Sequence, residues 1–153
     1  MEVYLVQHAE AISKDENPER PLTAAGRDAA ADVAVVAGKL GLGVQQIRHS
    51  GKTRARQTAE ILSGALTPPG GVVAVKGLGP LDDVQPVADE LADHAQPVML
   101  VGHLPFMERL AGLMLTGDAG QPLVKFTKAA IVCLSGDKEW QVSWILTPEI
   151  AGI

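Results

Sequence analysis

Residues 1 to 11, MEVYLVQHAEA, combine a short apolar run with a polar segment that begins at a histidine. The apolar run, residues 3 to 6, has the length and composition of a strand in the centre of a sheet. The polar residues that follow predict a loop starting near His8. Residues 98 to 103, VMLVGH, repeat this pattern. We therefore predict two buried strands, each of which leads directly into a histidine.

Helix-like segments lie between the predicted strands. Thr23 is a candidate N-cap, because its hydroxyl can accept a hydrogen bond from a free N–H group in the first turn of a helix. Apolar residues spaced by three or four positions predict helices with one buried face. The predicted helices and their inward residues are a segment after Thr23 (Ala29, Val33, Val36 and Leu40), residues 53 to 66 (Ala55, Ala59, Leu62 and Leu66), residues 84 to 94 (Val87, Ala88 and Leu91) and residues 107 to 115.

Four further strands complete the expected sheet. They are residues 46 to 49, 72 to 75, 129 to 134 and 141 to 146, and the last two should form a hairpin around Gly136 and Asp137. Alternation of strands and helices is typical of a parallel sheet covered by helices. The sequence thus predicts an α/β fold, a three-layer α/β/α sandwich with a mostly parallel central sheet, formed by residues 1–153 as a single domain.

The composition is that of an ordinary globular protein, with 46% hydrophobic residues, 20% charged residues and a net charge of -5 over 153 residues. The basic residues form no run, so we expect no nucleic-acid partner. Cys133 is the only cysteine, which excludes an intrachain disulfide and a cysteine zinc site and favours the cytoplasm. No secretory signal and no apolar run of roughly 18 residues is present. We expect no membrane association, and a monomer by default.

His8 and His103 occupy equivalent positions, because each directly follows a predicted strand. In an α/β sheet, ligands bind at the carboxyl ends of the parallel strands. Either histidine alone could be a loop residue without a function. Their shared position favours one pocket that holds both imidazoles. His49 ends the strand predicted at residues 46 to 49, close to the proposed pocket, and its role stays open.

A third element, SGKTRARQTAEIL at residues 50 to 62, predicts an anion site. The loop from Ser50 to Thr53 leads into a helix that carries Arg54 in its first turn. Free backbone N–H groups and the positive end of the helix dipole favour an anion there, and the guanidinium adds a bidentate donor. Because cations at a helix N-terminus oppose the dipole, Lys52 and Arg54 together indicate bound phosphate. Arg56 is interpreted as a solvated surface charge.

Four segments together resemble the histidine phosphatase superfamily, also called the phosphoglycerate mutase-like superfamily. They are LVQHAEA (5–11), RPLTAAG (20–26), SGKTRARQTAEIL (50–62) and LVGHLP (100–105), in this order, and the resemblance extends from Val3 to about Leu146. Within the superfamily, the short length and the RPLT segment most resemble the SixA-type bacterial phosphohistidine phosphatases. The resemblance implies a phosphoglycerate mutase-like sandwich and a phosphatase that needs neither a metal nor another cofactor.

The resemblance also implies a role for each matching residue. His8 is implied to be the nucleophile, which forms a phosphohistidine intermediate that water then hydrolyses. Arg54 and His103 are implied to stabilise charge on the phosphoryl oxygens. The substrate-binding positions that accompany them are Gln7, Arg20, Ser50, Lys52 and Leu104.

Gln7 departs from the superfamily pattern, in which an arginine usually precedes the nucleophile. Glutamine carries no positive charge, and loss of one charge-assisted contact costs a few kcal/mol, or roughly a hundredfold in rate, by analogy with an oxyanion donor. Lys52 could supply the missing charge from the loop before the helix, and Arg20 could approach the same phosphate. Lys52 and Arg20 could equally be surface residues without this role.

A proton donor for the leaving group is a second gap in the pattern. Larger members of the superfamily use an acidic residue from an inserted segment that this short chain lacks. Asp82 and Asp83 are candidates because they follow the strand at residues 72 to 75. Both are equally well placed to cap the next helix, and capping is the interpretation that we favour.

Three functions are compatible with these residues. The first is dephosphorylation of phosphohistidine in a signalling protein, since an imidazole leaving group needs less help from an acid than an alkoxide does. The second is hydrolysis of a small phosphorylated metabolite, which requires a deeper pocket. The third, motivated by Gln7, is binding of phosphate or a phosphoprotein with little turnover.

Overall fold

A six-stranded sheet runs through the centre of the computed structural model, which describes all 153 residues. Its strands are β1 (Glu2–Gln7), β2 (Gln46–His49), β3 (Val72–Ala74), β4 (Val98–Gly102), β5 (Ile131–Gly136) and β6 (Trp140–Leu146). The helices are α1 (Ala24–Leu40), α2 (Thr53–Leu66), α3 (Gln85–Asp93), α4 (Phe106–Thr116) and α5 (Pro148–Ala151). None of these helices has the length and apolarity needed to cross a membrane.

The strands lie in the order β3-β2-β4-β1-β5-β6. The first four of this order are parallel to their neighbours, whereas β5 pairs antiparallel with both β1 and β6. The strands β5 and β6 form the hairpin that the sequence predicts around Gly136. The α/β sandwich with a mostly parallel central sheet is thereby confirmed.

Alternate residues of β1 face the two helical layers. Val3 and Leu5 belong to a buried cluster that contains Leu110 of α4, whereas Tyr4 and Val6 belong to a second cluster on the side of α1 and α2. Each fully buried valine or leucine contributes roughly 1.5–3 kcal/mol through its removal from water. Packing on both faces therefore fixes β1, and the loop at its end, in the middle of the molecule.

The inward face of α1 differs from the predicted one. Val33 is buried as predicted, but Ala29 and Val36 are half-buried and Leu40 is 58% exposed. The residues that α1 buries are Gly26, Ala30, Val33, Ala34 and Ala37. The two helices α1 and α2 approach closely, since a Cβ on Gly38 would lie 3.3 Å from the Cβ of Ala65. Small side chains fit this interface, and the larger apolar residues turn outward.

The remaining predicted helices and strands differ from the structure mainly at their ends. The bounds and the buried stripe of α2 are as predicted. In α3 only Leu91 is fully buried, whereas the predicted inward residues Val87 and Ala88 are half-buried and pack against the core cluster that contains Leu91. Strand β5 starts at Ile131 rather than at Ala129, since Ala129 has a φ of 67°, which is incompatible with a strand. The third strand ends one residue earlier than predicted, at Ala74.

We predict that Gly26→Ala lowers the free energy of unfolding. A Cβ at this position would overlap the carbonyl oxygen of Glu10, which also accepts a 3.0 Å hydrogen bond from the N–H of Thr23. The backbone would have to move apart, at a cost of about 1–3 kcal/mol, measurable by urea denaturation.

Gly64→Ala is the matched control, because a Cβ on this residue of α2 meets nothing within 4 Å. Alanine is the better helix former, so this variant should be more stable by about 0.5–1 kcal/mol. Similar effects of the two substitutions would contradict the close approach of α1 to the loop after His8.

Candidate active site

The parallel pairing of β1 with β4 brings two histidines together. Gln7 lies opposite Gly102 in the sheet, and the N–H of His8 donates to the carbonyl of Gly102 at 2.9 Å. The rings of His8 and His103 consequently lie with their centroids 5.1 Å apart. His8 is 8% exposed and His103 is 2% exposed, so both imidazoles are almost completely removed from water.

The hydrogen bond of His8 fixes its tautomer. The Nδ1 atom lies 2.7 Å from the carbonyl oxygen of Ala9. Because a carbonyl can only accept, Nδ1 carries the proton, and in the neutral ring the lone pair is on Nε2. Burial lowers the pKa of His8 to about 4 despite the favourable bond to Ala9, and the charges of Arg54, Arg20 and Lys128 lower it further. At neutral pH, His8 therefore has an unprotonated Nε2.

His103 contacts the loop that precedes α2. Its Nε2 lies 2.6 Å from the hydroxyl of Ser50, whereas its Nδ1 is buried without a hydrogen-bond partner. Burial lowers the pKa of His103 to about 3, and His8, Arg54, Lys52 and Arg20 add to the effect. Two neutral imidazoles thus lie side by side among cations.

Arg54 lies in the first turn of α2. Its Nε is buried and has no hydrogen-bond partner, and its charge affects both histidines. Burial lowers the pKa of Arg54, and the charge of Arg20 lowers it further, although a guanidinium stays charged in proteins. No side chain caps this end of α2, where Lys52 is the N-cap residue. A guanidinium with an unused donor beside uncapped N–H groups is a site for an anion.

Side chains of α2 hold the loop that follows His8. The hydroxyl of Thr58 donates to the carbonyl of Arg54 at 2.8 Å and accepts from the N–H of Ala9 at 3.0 Å. The carbonyl oxygen of the Gln57 side chain accepts from the N–H of Leu22 at 2.8 Å. The imidazole of His8 and the guanidinium of Arg54 are therefore positioned relative to each other through one short set of hydrogen bonds.

Arg20 contributes charge to the same site. Its backbone has a φ of 50°, which is uncommon for a residue other than glycine, and its Nε donates to the carbonyl of Ile12 at 3.1 Å. This charge lowers the pKa of His8, of His103 and of Arg54. Arg20 is half-buried, and its positive charge lies close enough to both histidines to lower their pKa values.

The two candidate proton donors lie in a turn before α3. A carboxylate oxygen of Asp82 accepts from the N–H of Gly79 at 2.8 Å, and Asp83 accepts from the N–H of Gln85, the first residue of α3, at 3.0 Å. No carboxylate contributes to the pKa shift of His8 or of His103. Both aspartates therefore stabilise the turn and the start of α3, and neither is hydrogen-bonded to a histidine.

The other predicted positions lie around this cluster. Leu104 directly follows His103 and is half-buried, with a cis peptide bond to Pro105. His49 is buried, and its Nδ1 accepts a hydrogen bond from the N–H of Gly51 at 3.1 Å. This hydrogen bond gives His49 a structural role in the loop before α2. The structure contains no group of three or more histidine, cysteine or acidic side chains that could hold a metal ion.

Five cavities of the surface lie elsewhere. One of about 500 Å³ is lined by Lys76, Asp82, Asp83 and Glu90, among others, and neither His8 nor His103 lines any of the five. The two buried histidines with lowered pKa values and the unpaired donor of Arg54 lie outside these cavities, so we place the site at the histidines.

Similarity to known proteins identifies the family. No family model matches the sequence. An uncharacterised protein of Picosynechococcus sp. is 34% identical over 142 residues, which cover 88% of this chain and 84% of that protein. The structure is similar to that of an assigned SixA phosphohistidine phosphatase from Agrobacterium tumefaciens (TM-score 0.79, 26% identity, 96% and 97% of the two chains). The chain belongs to the histidine phosphatase superfamily.

Two further solved structures share the fold of this histidine phosphatase. The protein histidine phosphatase SixA in complex with tungstate matches with a TM-score of 0.86 and 24% identity over 97% of both chains. The alpha-ribazole phosphatase of Shigella flexneri matches with a TM-score of 0.78 and 14% identity, again over 97% of both chains. These two matches show the shared fold. Membership in the histidine phosphatase superfamily, supported by the SixA match at 26% identity, makes the chain a phosphatase, a hydrolase that acts on phosphate groups.

Gln7 lies beside the turn that contains Lys128. Gln7 is buried, and its carbonyl accepts from the N–H of Ala129 at 2.9 Å. Lys128, which the sequence patterns did not single out, is exposed and acts on the pKa of His8. The antiparallel pairing of β5 with β1 was the signal that could have identified it, since residues before β5 lie beside residues after β1.

We predict that both imidazoles remain neutral in acid. Burial holds the pKa of His8 at about 4 and that of His103 at about 3, well below the roughly 6.5 of an exposed imidazole. Nuclear magnetic resonance of the imidazole nitrogens between about pH 7 and pH 5 should show an unprotonated Nε2 on His8 throughout. A titration midpoint near 6.5 for either histidine would contradict the buried pair.

The same shifts predict the direction in which stability depends on pH. The unfolded chain takes up these two protons near pH 6.5, whereas the folded chain does not, so the free energy of unfolding should fall as the pH is lowered from about 6.5 to 4. Urea denaturation of the wild type and of a His8→Ala/His103→Ala variant checks this. The fall should be smaller in the variant, and an equal fall would assign it to other groups.

Proposed function

We propose that this chain is a metal-independent phosphohistidine phosphatase that removes the phosphoryl group from a phosphorylated protein through an intermediate on His8. One observation carries the proposal: the Nδ1 proton of His8 is held by the carbonyl of Ala9, which leaves the Nε2 lone pair available beside the cations of Arg54 and Arg20. A neutral nucleophile next to positive charge is the combination that attack on a phosphoryl group requires.

The first step transfers the phosphoryl group to the enzyme. The Nε2 of His8 attacks phosphorus, a nitrogen–phosphorus bond forms, and the nitrogen–phosphorus bond of the substrate breaks. The substrate imidazole leaves with the electron pair of that bond and takes a proton from a solvent water, and the hydroxide that remains is neutralised by the acidic phosphate released in the second step. As charge accumulates on the phosphoryl oxygens, Arg54 and the N–H groups at the start of α2 stabilise it. The Nδ1 proton of His8 remains bonded to Ala9, which stabilises the positive charge that develops on the ring.

The second step regenerates the enzyme. A water molecule attacks the phosphorus of phosphorylated His8, the bond from Nε2 to phosphorus breaks, and inorganic phosphate leaves. The lone pair returns to Nε2, and the proton released by the water is carried off by the phosphate. His103 is neutral, so its ring N–H can donate a hydrogen bond to a phosphoryl oxygen without adding a charge.

The choice of phosphohistidine as the substrate rests on the leaving group. An alkoxide needs a proton from a general acid, and no carboxylate affects either histidine. Asp82 and Asp83 are engaged in the turn before α3. An imidazole departs more readily than an alkoxide, so a site without an acid suits it better. The SixA name of two structural neighbours supports the same substrate class.

The proposed partner is a phosphorylated signalling protein in the cytoplasm. A phosphohistidine on a folded protein can be reached only by an open site, and this short chain lacks the inserted segment that larger members of the superfamily carry. The chain would act there as a monomer and a single domain, with no cofactor. A small phosphorylated metabolite is the alternative substrate, favoured by the fold shared with an alpha-ribazole phosphatase. Phosphate binding without turnover is the alternative that Gln7 favours.

Turnover of a phosphohistidine-bearing protein and of p-nitrophenyl phosphate tests the proposal. The wild type should hydrolyse the phosphoprotein with the higher kcat/KM. His8→Ala should lower that activity by roughly a thousandfold or more, because it removes the nucleophile. Rapid quenching in alkali should trap an acid-labile phosphoryl group on His8 of the wild type.

His94→Gln is the matched control, since His94 lies at the end of α3 beside Arg48 and away from the cluster. Its activity should equal that of the wild type. Preference for p-nitrophenyl phosphate would support the metabolite phosphatase instead. Phosphate binding without turnover or a trapped intermediate would support the binding protein.

A further inference from the structure

The position before the nucleophile leaves one charge unaccounted for. Gln7 occupies the place of the arginine that the superfamily resemblance leads one to expect, and a glutamine amide offers hydrogen bonds but no charge. Lys52 and Arg20 were the two substitutes suggested by the sequence. The charge of Lys52 affects His103 but is not among the causes of the shift at His8. Of these two cations, only Arg20 acts on His8, and it acts on His103 as well.

A turn that lies directly against Gln7 carries another cation. Strand β5 pairs antiparallel with β1, with Val6 opposite Ile131, so the residues just before β5 lie beside Gln7 and His8. The N–H of Ala129 donates to the carbonyl of Gln7 at 2.9 Å. This bond fixes the turn at the end of β1 where the two histidines meet.

The conformation of the turn keeps Lys128 at this edge of the sheet. Ala129 has a φ of 67°, and the N–H of Ala130 donates to the carbonyl of Thr127 at 3.1 Å. Lys128 directly follows Thr127 and is exposed, whereas the next two residues, Ala129 and Ala130, are buried. The lysine thus has a fixed backbone and a side chain that is free to meet a ligand.

The residue before Lys128 carries a buried polar atom without a hydrogen-bond partner. The buried side-chain nitrogen and oxygen atoms without a hydrogen-bond partner are the Nε of Arg54, the Nδ1 of His103 and the Oγ1 of Thr127. Buried polar groups are nearly always paired, and exceptions concentrate at functional sites. Two of these three atoms belong to the candidate site, and the third belongs to the residue before Lys128. The charge of Lys128 also contributes to the low pKa of His8.

We propose that Lys128 is a phosphoryl-binding residue, which supplies from the turn before β5 the positive charge that Gln7 does not provide beside His8. The expected effect of Lys128 on catalysis rests on the proposed function, whereas its expected effect on phosphate binding does not. Lysine is a flexible point charge, so it can reach a phosphoryl oxygen from a backbone position other than that of the missing arginine.

Four variants test the inference: Lys128→Gln, Gln7→Arg, the double variant Lys128→Gln/Gln7→Arg, and Lys125→Gln. The last is the matched control, because Lys125 is an exposed lysine three positions earlier in the chain and its substitution changes the net charge equally. The measurements are kcat/KM on a phosphohistidine-bearing protein and the affinity for inorganic phosphate, obtained by calorimetry at constant ionic strength.

Lys128→Gln should lower kcat/KM and weaken phosphate binding by roughly 10- to 100-fold, as expected for the loss of one charged contact to the phosphoryl group. Gln7→Arg should restore most of both losses in the double variant. Lys125→Gln should stay within about twofold of the wild type, since an exposed charge without contact to the ligand is screened. Equal behaviour of Lys128→Gln and Lys125→Gln in phosphate binding would overturn the inference.

The two measurements keep this inference separate from the proposed function. A wild type that binds phosphate but has no turnover refutes the proposed phosphatase, while weaker phosphate binding by Lys128→Gln still supports the role of the lysine. If the wild type has turnover that is lost in His8→Ala but unchanged in Lys128→Gln, the proposed phosphatase function is supported and the proposed role of Lys128 is refuted. A wild type with neither turnover nor phosphate binding refutes both.

Discussion

The parallel pairing of β1 with β4 is the constraint on which the site depends. Gln7 lies opposite Gly102, so the two strands end together and His8 and His103 emerge next to each other. Burial of Val3 and Leu5 on one face and of Tyr4 and Val6 on the other fixes this register, because a slip by one residue would exchange the two faces. The distance of 5.1 Å between the imidazoles is thus a consequence of core packing.

The charged side chains around the two histidines are positive, opposite in sign to the net charge of the molecule. The net charge is -5, yet the charges that reach the histidines are those of Arg20, Lys52, Arg54 and Lys128. Burial among cations keeps both imidazoles neutral, while buried donors stay unpaired. A resting site with excess positive charge and unused hydrogen-bond donors is one that a bound anion completes. This supports the proposal of phosphoryl binding independently of any substrate.

The loops of the site are held by residues whose importance is not evident from their chemistry. Thr58 bonds to both the Ala9 amide and the Arg54 carbonyl, and Gln57 holds Leu22 in the RPLT segment. Gly26 leaves room for the Glu10 carbonyl against α1. These contacts explain why four segments far apart in the sequence form one pattern: each touches another around the loop after His8.

The sequence by itself determined the layers of the fold, the full extent of α2 and the placement of His8 and His103 at strand ends, because apolar periodicity and loop residues are local properties. Roles predicted for the site residues remain predictions. Only the tertiary structure decided the tautomer of His8, the engagement of Asp82 and Asp83 in a turn, the inward face of α1 and the proximity of Lys128 to His8. These features depend on which residues distant in the sequence become neighbours, as when β5 brings Lys128 to β1, and on how closely α1 and α2 pack. The spacing of residues along the chain does not encode such long-range contacts.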